Sequence, residues 1–358
     1  MKFIYADSQD YVDPGYDFEK DQPSEGRQPY WDDVYPHELL GFAPYDGILV
    51  SRAIVGDHRR TGKYSESQAM RFRRVGARQF LRLDRPEFAD KLIFGDCGAF
   101  SYAKEAAPPY SPSDTVDFYA DGKFTHGCSV DHIVFQFEPK AKNLEGATED
   151  SRIRFDITLE LAESFLKESA QLGPNFTPVG VVQGWSPPSK AEAARRLIAM
   201  GYRYLAVGGL VPLRTHAIHQ AVDAIQDEVA RHPREIRLHL LGFAKADHLA
   251  EFTRYPAIAS FDTTSPLIRA FKDKHRNFYV ARCSGGIDYY TAIRIPQALE
   301  STRLTQDIKT GRLQQEELVR MEVPEHLGFG KKLERFFSSL CIMNFSIFEC
   351  CTFLVNTW

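Results

Sequence analysis

Two aspartates, Asp96 and Asp262, stand at the ends of short apolar runs, the first before Cys97-Gly98-Ala99 and the second before Thr263-Thr264-Ser265-Pro266. Similar runs end in Gln136 and Glu138, in Gln183-Gly184-Trp185, and in Gly208-Gly209-Leu210. Two carboxyl groups facing one sugar carbon can divide the work of a substitution. One attacks, or stabilises the oxocarbenium centre, while the other shuttles a proton. The glycines would let a planar ligand approach the backbone closely. Taken singly, each aspartate could instead cap the helix that follows it. That alternative does not account for Gln183 and Gly208-Gly209 at corresponding places.

For these residues to meet, the runs that carry them must be neighbours. The runs are 47–51, 79–83, 91–95, 132–137, 177–183, 204–208, 237–242 and 257–261. Each is short and mostly apolar, and most are bounded by Gly, Pro or Asp, as strands buried on both faces should be. Stretches with helical spacing lie between several of them. Ala69, Phe72 and Val75 share one side of 65–75; Ile157, Leu161, Ala162, Phe165 and Leu166 form a stripe; and Ala194, Leu197 and Ile198 precede Gly201. This alternation predicts an α/β fold, a (β/α)8 TIM-like barrel whose chemistry sits at the C-terminal strand ends. A doubly wound open sheet would show a similar alternation. The expected organisation is an irregular N-terminal extension over 1–45, the barrel over 46–290, and a helical segment over 291–358, clearest at 314–320. The apolar tail after Ser339 reads as a buried element or as a non-native end.

With 43% hydrophobic and 26% charged residues, the 358-residue chain can bury a large core, which excludes a disordered chain. A net charge of −4 argues against bulk electrostatic binding of a polyanion but allows a local basic groove. Arg59, Arg60, Lys63, Arg71, Arg73, Arg74 and Arg78 form one basic stretch, and Arg269, Lys272, Lys274 and Arg276 follow Asp262 directly. Either could hold phosphates beside the barrel mouth, or could simply be solvated helix faces. The six cysteines (97, 128, 283, 341, 350 and 351) lack the paired spacing of a disulfide framework, and the start is polar within a few residues. A reducing cytoplasm and no membrane association are expected.

Four short motifs resemble those of the guanine transglycosylase family, in the same order. That family carries a strand-end Asp-Ser-Gly-Gly-Phe-Gln, a Val-Gln-Gly, a Gly-Gly-Leu and a Phe-Asp-Cys-X-X-Pro. This chain has Asp96-Cys97-Gly98-Ala99-Phe100-Ser101, Val182-Gln183-Gly184, Gly208-Gly209-Leu210 and Phe261-Asp262-Thr263-Thr264-Ser265-Pro266. The resemblance implies Asp262 as nucleophile, Asp96 as general acid/base, and a base held by Gln183, Gly208, Gly209 and Leu210. Ser101 stands where the family has glutamine. The family's base-reading aspartate falls near 132–139, where this chain offers Gln136 and Glu138; Glu138 is favoured, since a carboxylate can accept from a guanine N1–H and amino group.

Relatives acting on transfer RNA hold a structural zinc through Cys-X-Cys-X-X-Cys and a later His. Only Cys283 lies in the corresponding region here, and Cys350-Cys351 are adjacent, so the spacing supports no zinc and no other cofactor is expected. His275 and His326 read as surface residues. The segments 49–83 and 289–297 resemble instead the branch acting on DNA in 7-deazaguanine modification systems. The resemblance thus implies DNA as partner, 7-cyano-7-deazaguanine (preQ0) as the incoming base, and helper proteins of such a system. Transfer RNA is the alternative polymer. A non-catalytic subunit that positions nucleic acid, or a barrel hydrolase acting on a small sugar, would share the pattern.

Overall fold

Eight parallel strands close on one another in chain order: β1 (Lys2–Ala6), β2 (Gly47–Ser51), β3 (Leu92–Asp96), β4 (His126–Cys128), β5 (Thr177–Val182), β6 (Tyr204–Val207), β7 (Arg237–Leu240) and β8 (Ile258–Thr263). The computed structural model describes residues 1–17, 22–243, 245, 248–265, 278–281, 287–290 and 310. The expected C-terminal helical segment and apolar tail lie outside the described residues, as do Arg269, Lys272, Lys274, Arg276, His275, His326 and the four cysteines from Cys283 onward. Among the described residues no helix is long and apolar enough to cross a membrane.

The (β/α)8 barrel is as the alternation predicts, but two of its strands are not those expected. The run 79–83 is no strand: Ala77–Phe80 is a single helical turn, and Phe80, Leu81 and Leu83 are all buried. Phe80 packs against Phe72 at 5.6 Å and Tyr64 at 4.9 Å between ring centroids. A run this short, with three of its five residues buried, carries no period with which to tell a strand from a helical turn. The run 132–137 is irregular as well. Its backbone groups are satisfied by side chains: His132 N–H donates to Thr158 Oγ1 at 3.0 Å, Val134 N–H donates to Gln183 Oε1 at 3.2 Å, and Ile133 O accepts from Arg154.

The strands that complete the barrel are Lys2–Ala6 and His126–Cys128. The first lies in the supposed N-terminal extension, yet it pairs with both β2 and β8 and closes the ring. The barrel unit therefore comprises Met1–Gln9 and Tyr45–Ser265.

Alternation along the strands sets what reaches the mouth. Ile4, Leu49, Phe94, Cys128, Val179, Val181, Tyr204 and Ala206 fill the barrel interior. Two residues beyond Phe94 is Asp96, two beyond Val181 is Gln183, two beyond Ala206 is Gly208, and two beyond Ser260 is Asp262. Among the described residues, five longer helices cover the outside: α1 (Glu66–Val75), α2 (Pro112–Gly122), α3 (Glu149–Ser169), α4 (Pro187–Met200) and α5 (Thr215–Ala230). The first four are N-capped by the side chains of Ser65, Ser111, Thr148 and Ser186, which accept orphan backbone N–H groups.

The remaining unit comprises 10–44 and 266–358. In its first part Val12 and Val34 form an antiparallel bridge, and Arg27 binds Asp33 through two hydrogen bonds of 2.6 and 2.9 Å. In its second part β9 (Phe278–Ala281) pairs antiparallel with β10 (Ile287–Tyr290).

Candidate active site

Asp262 is only 6% exposed and is held through one of its oxygens. Oδ1 accepts from the Gly242 N–H at 2.8 Å and lies 3.0 Å from His239 Nε2. Among the described residues, Oδ2 carries no such bond. At the turn that follows, Thr263 Oγ1 accepts the Ser265 N–H at 3.0 Å.

Asp96, at the end of β3, is half-buried and accepts the Gly98 N–H at 3.1 Å. Gly98 takes the left-handed conformation, with φ of 86°, which a side chain would resist. Burial pushes the Asp96 carboxyl above its ordinary value, and the nearby charge of Asp262 pushes it the same way. The Ser51 hydroxyl and the Gly98 and Cys97 N–H groups pull it back. The two aspartates predicted to act together are thus brought to one mouth, close enough to feel each other's charge.

A third carboxylate, missed in the sequence, is the one that Gln183 touches. Gln183 Nε2 donates to Asp131 Oδ2 at 2.7 Å, and the Cys97 thiol donates to Asp131 Oδ1 at 3.1 Å. The pKa of Asp131 is raised to about 6: burial and the charge of Asp96 push it up, while the Cys97 and Gln183 hydrogen bonds and Lys190 oppose the rise. Glu138, the carboxylate expected here, is exposed on the loop after Phe137, and its backbone N–H donates to Trp185 O at 2.6 Å. Gln136 ties that loop together by donating to Gly146 O at 2.7 Å and accepting from Thr148 N–H at 2.9 Å. The missed signal was an Asp just before an apolar run, in a chain where two other runs lead into an Asp, Asp96 and Asp262.

The glycine pair follows β6. A Cβ on Gly208 would lie 2.4 Å from Gln183 Nε2, so any side chain there would push the Gln183 amide aside. Lys190, on α4 and 1% exposed, donates from Nζ to Gly208 O at 2.8 Å. Burial lowers its pKa to about 7, against the pull of Asp131. Leu210 is buried. Ser101 is exposed and closes a turn, its hydroxyl donating to Gly98 O at 2.7 Å.

Two phenylalanines stand open at the same end of the barrel. Phe100 is 63% and Phe135 52% exposed, with ring centroids 6.5 Å apart. A fourth carboxylate, Asp7, follows β1; it is buried and accepts from Tyr64 OH at 2.8 Å, and burial raises its pKa.

The first basic stretch is largely spent on the fold. Arg59 pairs with Asp114 at 2.9 Å, and Arg60 pairs with Glu105 and donates to Ser101 O. Arg73 donates to Gly56 O, and Arg78 donates to the carbonyls of Leu83 and Phe88. Among the described residues no group of three His, Cys, Asp or Glu could hold a metal ion.

A donor-oriented buried carboxylate, a second carboxyl with raised pKa beside it, and an amide–carboxylate pair flanked by glycines can together exchange a planar base at a sugar carbon. No protein-family model matches the chain. It is 37% identical over 318 residues to a DNA-guanine transglycosylase of Salmonella montevideo, covering 88% of this chain and 73% of that protein.

Proposed function

The chain belongs to the guanine transglycosylase family, and from that premise we propose that it exchanges guanine in DNA for 7-cyano-7-deazaguanine through a covalent aspartyl–sugar intermediate. The observation that carries this reading is the pairing of Asp262, anchored through Oδ1, with Asp96, whose carboxyl feels its charge.

In this mechanism the target guanosine leaves the stack, because its glycosidic carbon is hidden inside a duplex. Asp262 Oδ2 attacks C1′ as the bond from C1′ to guanine N9 breaks. Asp96 gives its proton to the departing base. Its raised pKa favours the protonated form that this step needs. Asp96 then takes the N9 proton of the incoming deazaguanine, N9 attacks C1′, and the carboxylate of Asp262 leaves. Two inversions give net retention at the sugar.

Base recognition falls to Gln183, Asp131 and the backbone of Gly208, Gly209 and Leu210. An ionised Asp131 accepts from N1–H and the exocyclic amine, the role that the sequence suggested for Glu138. The open faces of Phe100 and Phe135 suit stacking of unpaired bases. Phosphate contacts are assigned to Arg269, Lys272, Lys274 and Arg276, which directly follow the nucleophile in sequence.

The deciding experiment incubates the protein with labelled 7-cyano-7-deazaguanine and either DNA or transfer RNA, then analyses the released nucleosides by mass. Label in deoxynucleosides, absent with Asp262→Ala, is expected. Label only in ribonucleosides, or full exchange by Asp262→Ala, overturns the reading.

A further inference from the structure

The bond at Asp262 Oδ1 is the last link of a buried chain. His239 Nε2 lies 3.0 Å from Oδ1, His239 Nδ1 lies 2.6 Å from Ser260 Oγ, and Ser260 Oγ lies 2.6 Å from Tyr204 OH. His239 and Ser260 are wholly buried, and Tyr204 is nearly so. The directions of the bonds follow from elementary chemistry. Without a proton on Nε2, two acceptors would face each other, so Nε2 donates to the carboxylate. In the neutral imidazole, Nδ1 then accepts from Ser260, whose single proton is used, and Tyr204 donates to Ser260. Burial pushes the Tyr204 phenol up to about 12, which keeps it a neutral donor.

Two features hold this chain in line. The His239 ring is stacked on Phe94, with centroids 4.6 Å apart, and so cannot swing freely. The ladder between β7 and β8 also shifts register between Leu238 and His239. Leu238 pairs with Ile258, but His239 pairs with Ser260 and skips Ala259. An unbroken ladder would set Ala259 opposite His239; the bulge supplies the hydroxyl instead.

We propose that His239, oriented by Ser260 and Tyr204, is a positioning residue that selects Oδ2 of Asp262 as the attacking oxygen and keeps the covalent intermediate from becoming a dead end. This rests on the reading of Asp262 as nucleophile. When Oδ2 bonds to C1′, Oδ1 becomes an ester carbonyl, a weaker acceptor than a carboxylate. The donors on Oδ1 therefore stabilise the free carboxylate more than the ester, and they favour departure of Asp262 in the second half of the exchange. No further group is consumed: the His239 proton stays on Nε2 throughout.

The test compares Ser260→Ala, Tyr204→Phe, His239→Phe and His239→Gln. The readouts are the exchange rate, the KM for the incoming base, and the fraction of enzyme bound covalently to a guanine-containing oligonucleotide on a denaturing gel at fixed free guanine. Ser260→Ala and His239→Phe are expected to lower kcat at least tenfold and raise the adduct fraction about threefold, leaving KM within twofold. His239→Gln, which retains an amide donor, should recover most of the rate. Tyr204→Phe, the mildest change, should lower kcat two- to threefold and serves if the larger changes unfold the barrel. Wild-type kcat and adduct fraction in both Ser260→Ala and Tyr204→Phe overturn the proposal. Asp262→Ala separates the two failures: an adduct that persists in that variant defeats the nucleophile assignment itself, whereas its loss there, with unaltered Ser260→Ala, defeats only the role of His239.

Discussion

Gln183 and Asp131 meet beyond the ends of the neighbouring strands β5 and β4, the amide Nε2 donating to carboxylate Oδ2 at 2.7 Å. The other end of the same amide is fixed too, since Gln183 Oε1 accepts the Val134 N–H at 3.2 Å. The amide is thus oriented before any ligand arrives, and so is the acceptor edge of Asp131. A planar base with adjacent N–H donors and a carbonyl is the natural complement of such a pair.

Asp131→Asn should therefore cripple base exchange, whereas Glu138→Gln should leave it within about twofold. A hydrogen bond to a charged group contributes roughly 1.5–3 kcal/mol, so kcat/KM for the incoming base should fall on the order of tenfold to a hundredfold. Because the pKa of Asp131 is raised to about 6 and its ionised form is the acceptor, the wild-type KM should climb as pH drops through about 6. Steady-state kinetics at pH 5 to 8 check both points. A large loss in Glu138→Gln with none in Asp131→Asn would reverse the assignment.

The same substitution should stabilise the fold. An unfolded chain releases the Asp131 proton near 3.8, whereas the folded protein keeps it to about 6. Between those values the folded state binds the extra proton, so its stability falls as pH rises. The cost when fully ionised is on the order of 3 kcal/mol. Asn at this position bears no such cost: its carbonyl can still accept from Gln183 and its NH2 can face the Cys97 sulfur. The excess of the Asp131→Asn Tm over wild type should be small at pH 4 and grow to pH 7. A constant difference across that range would count against the buried-charge account.

The positions of Asp96, Gln183, Gly208 and Asp262 at the mouth could be read from the sequence because each stands within one residue of the end of a strand of four to six residues whose alternation aims it inward. Asp131 could not be read that way. It follows β4, a strand of only three residues, and sits in an irregular stretch whose backbone bonds go to Thr158 and Gln183. Three residues are too few to display a period of two. The first strand was obscured differently: Lys2–Ala6 pairs with β2 and β8, partners some 45 and 260 positions away, and no local pattern announces that closure. The bulge that aligns Ser260 with His239 is likewise a property of strand register, invisible to residue type.

Gly208→Ala tests the close approach of β5 and β6. The added methyl would stand 2.4 Å from Gln183 Nε2 and displace that side chain from Asp131. The backbone at Gly208 is not in the left-handed region, so the change should cost little through strain. We expect the KM for the incoming base to rise about tenfold, on the loss of one oriented donor, with Tm lowered by only a few degrees. Unaltered KM would mean that Gln183 is not part of base recognition.

Phe100 and Phe135 yield a prediction about the polymer rather than the base. Large apolar rings as open as these, 6.5 Å apart, stand in water and gain by leaving it to stack on an unpaired base. Stacking contributes roughly 1–3 kcal/mol per base and involves no released counterion. Phe100→Ala and Phe135→Ala should each weaken binding of a guanine-containing oligonucleotide about fivefold or more, leaving the slope of log K against log salt unchanged. Replacing Arg269, Lys272, Lys274 and Arg276 together by Gln should do the opposite and flatten that slope by roughly 3 to 4 units. Fluorescence anisotropy between 50 and 200 mM salt, roughly the range over which such contacts weaken most, separates the two. If the phenylalanine variants changed the slope and the basic variants did not, the roles of the two phenylalanines and the four basic residues would have to be exchanged.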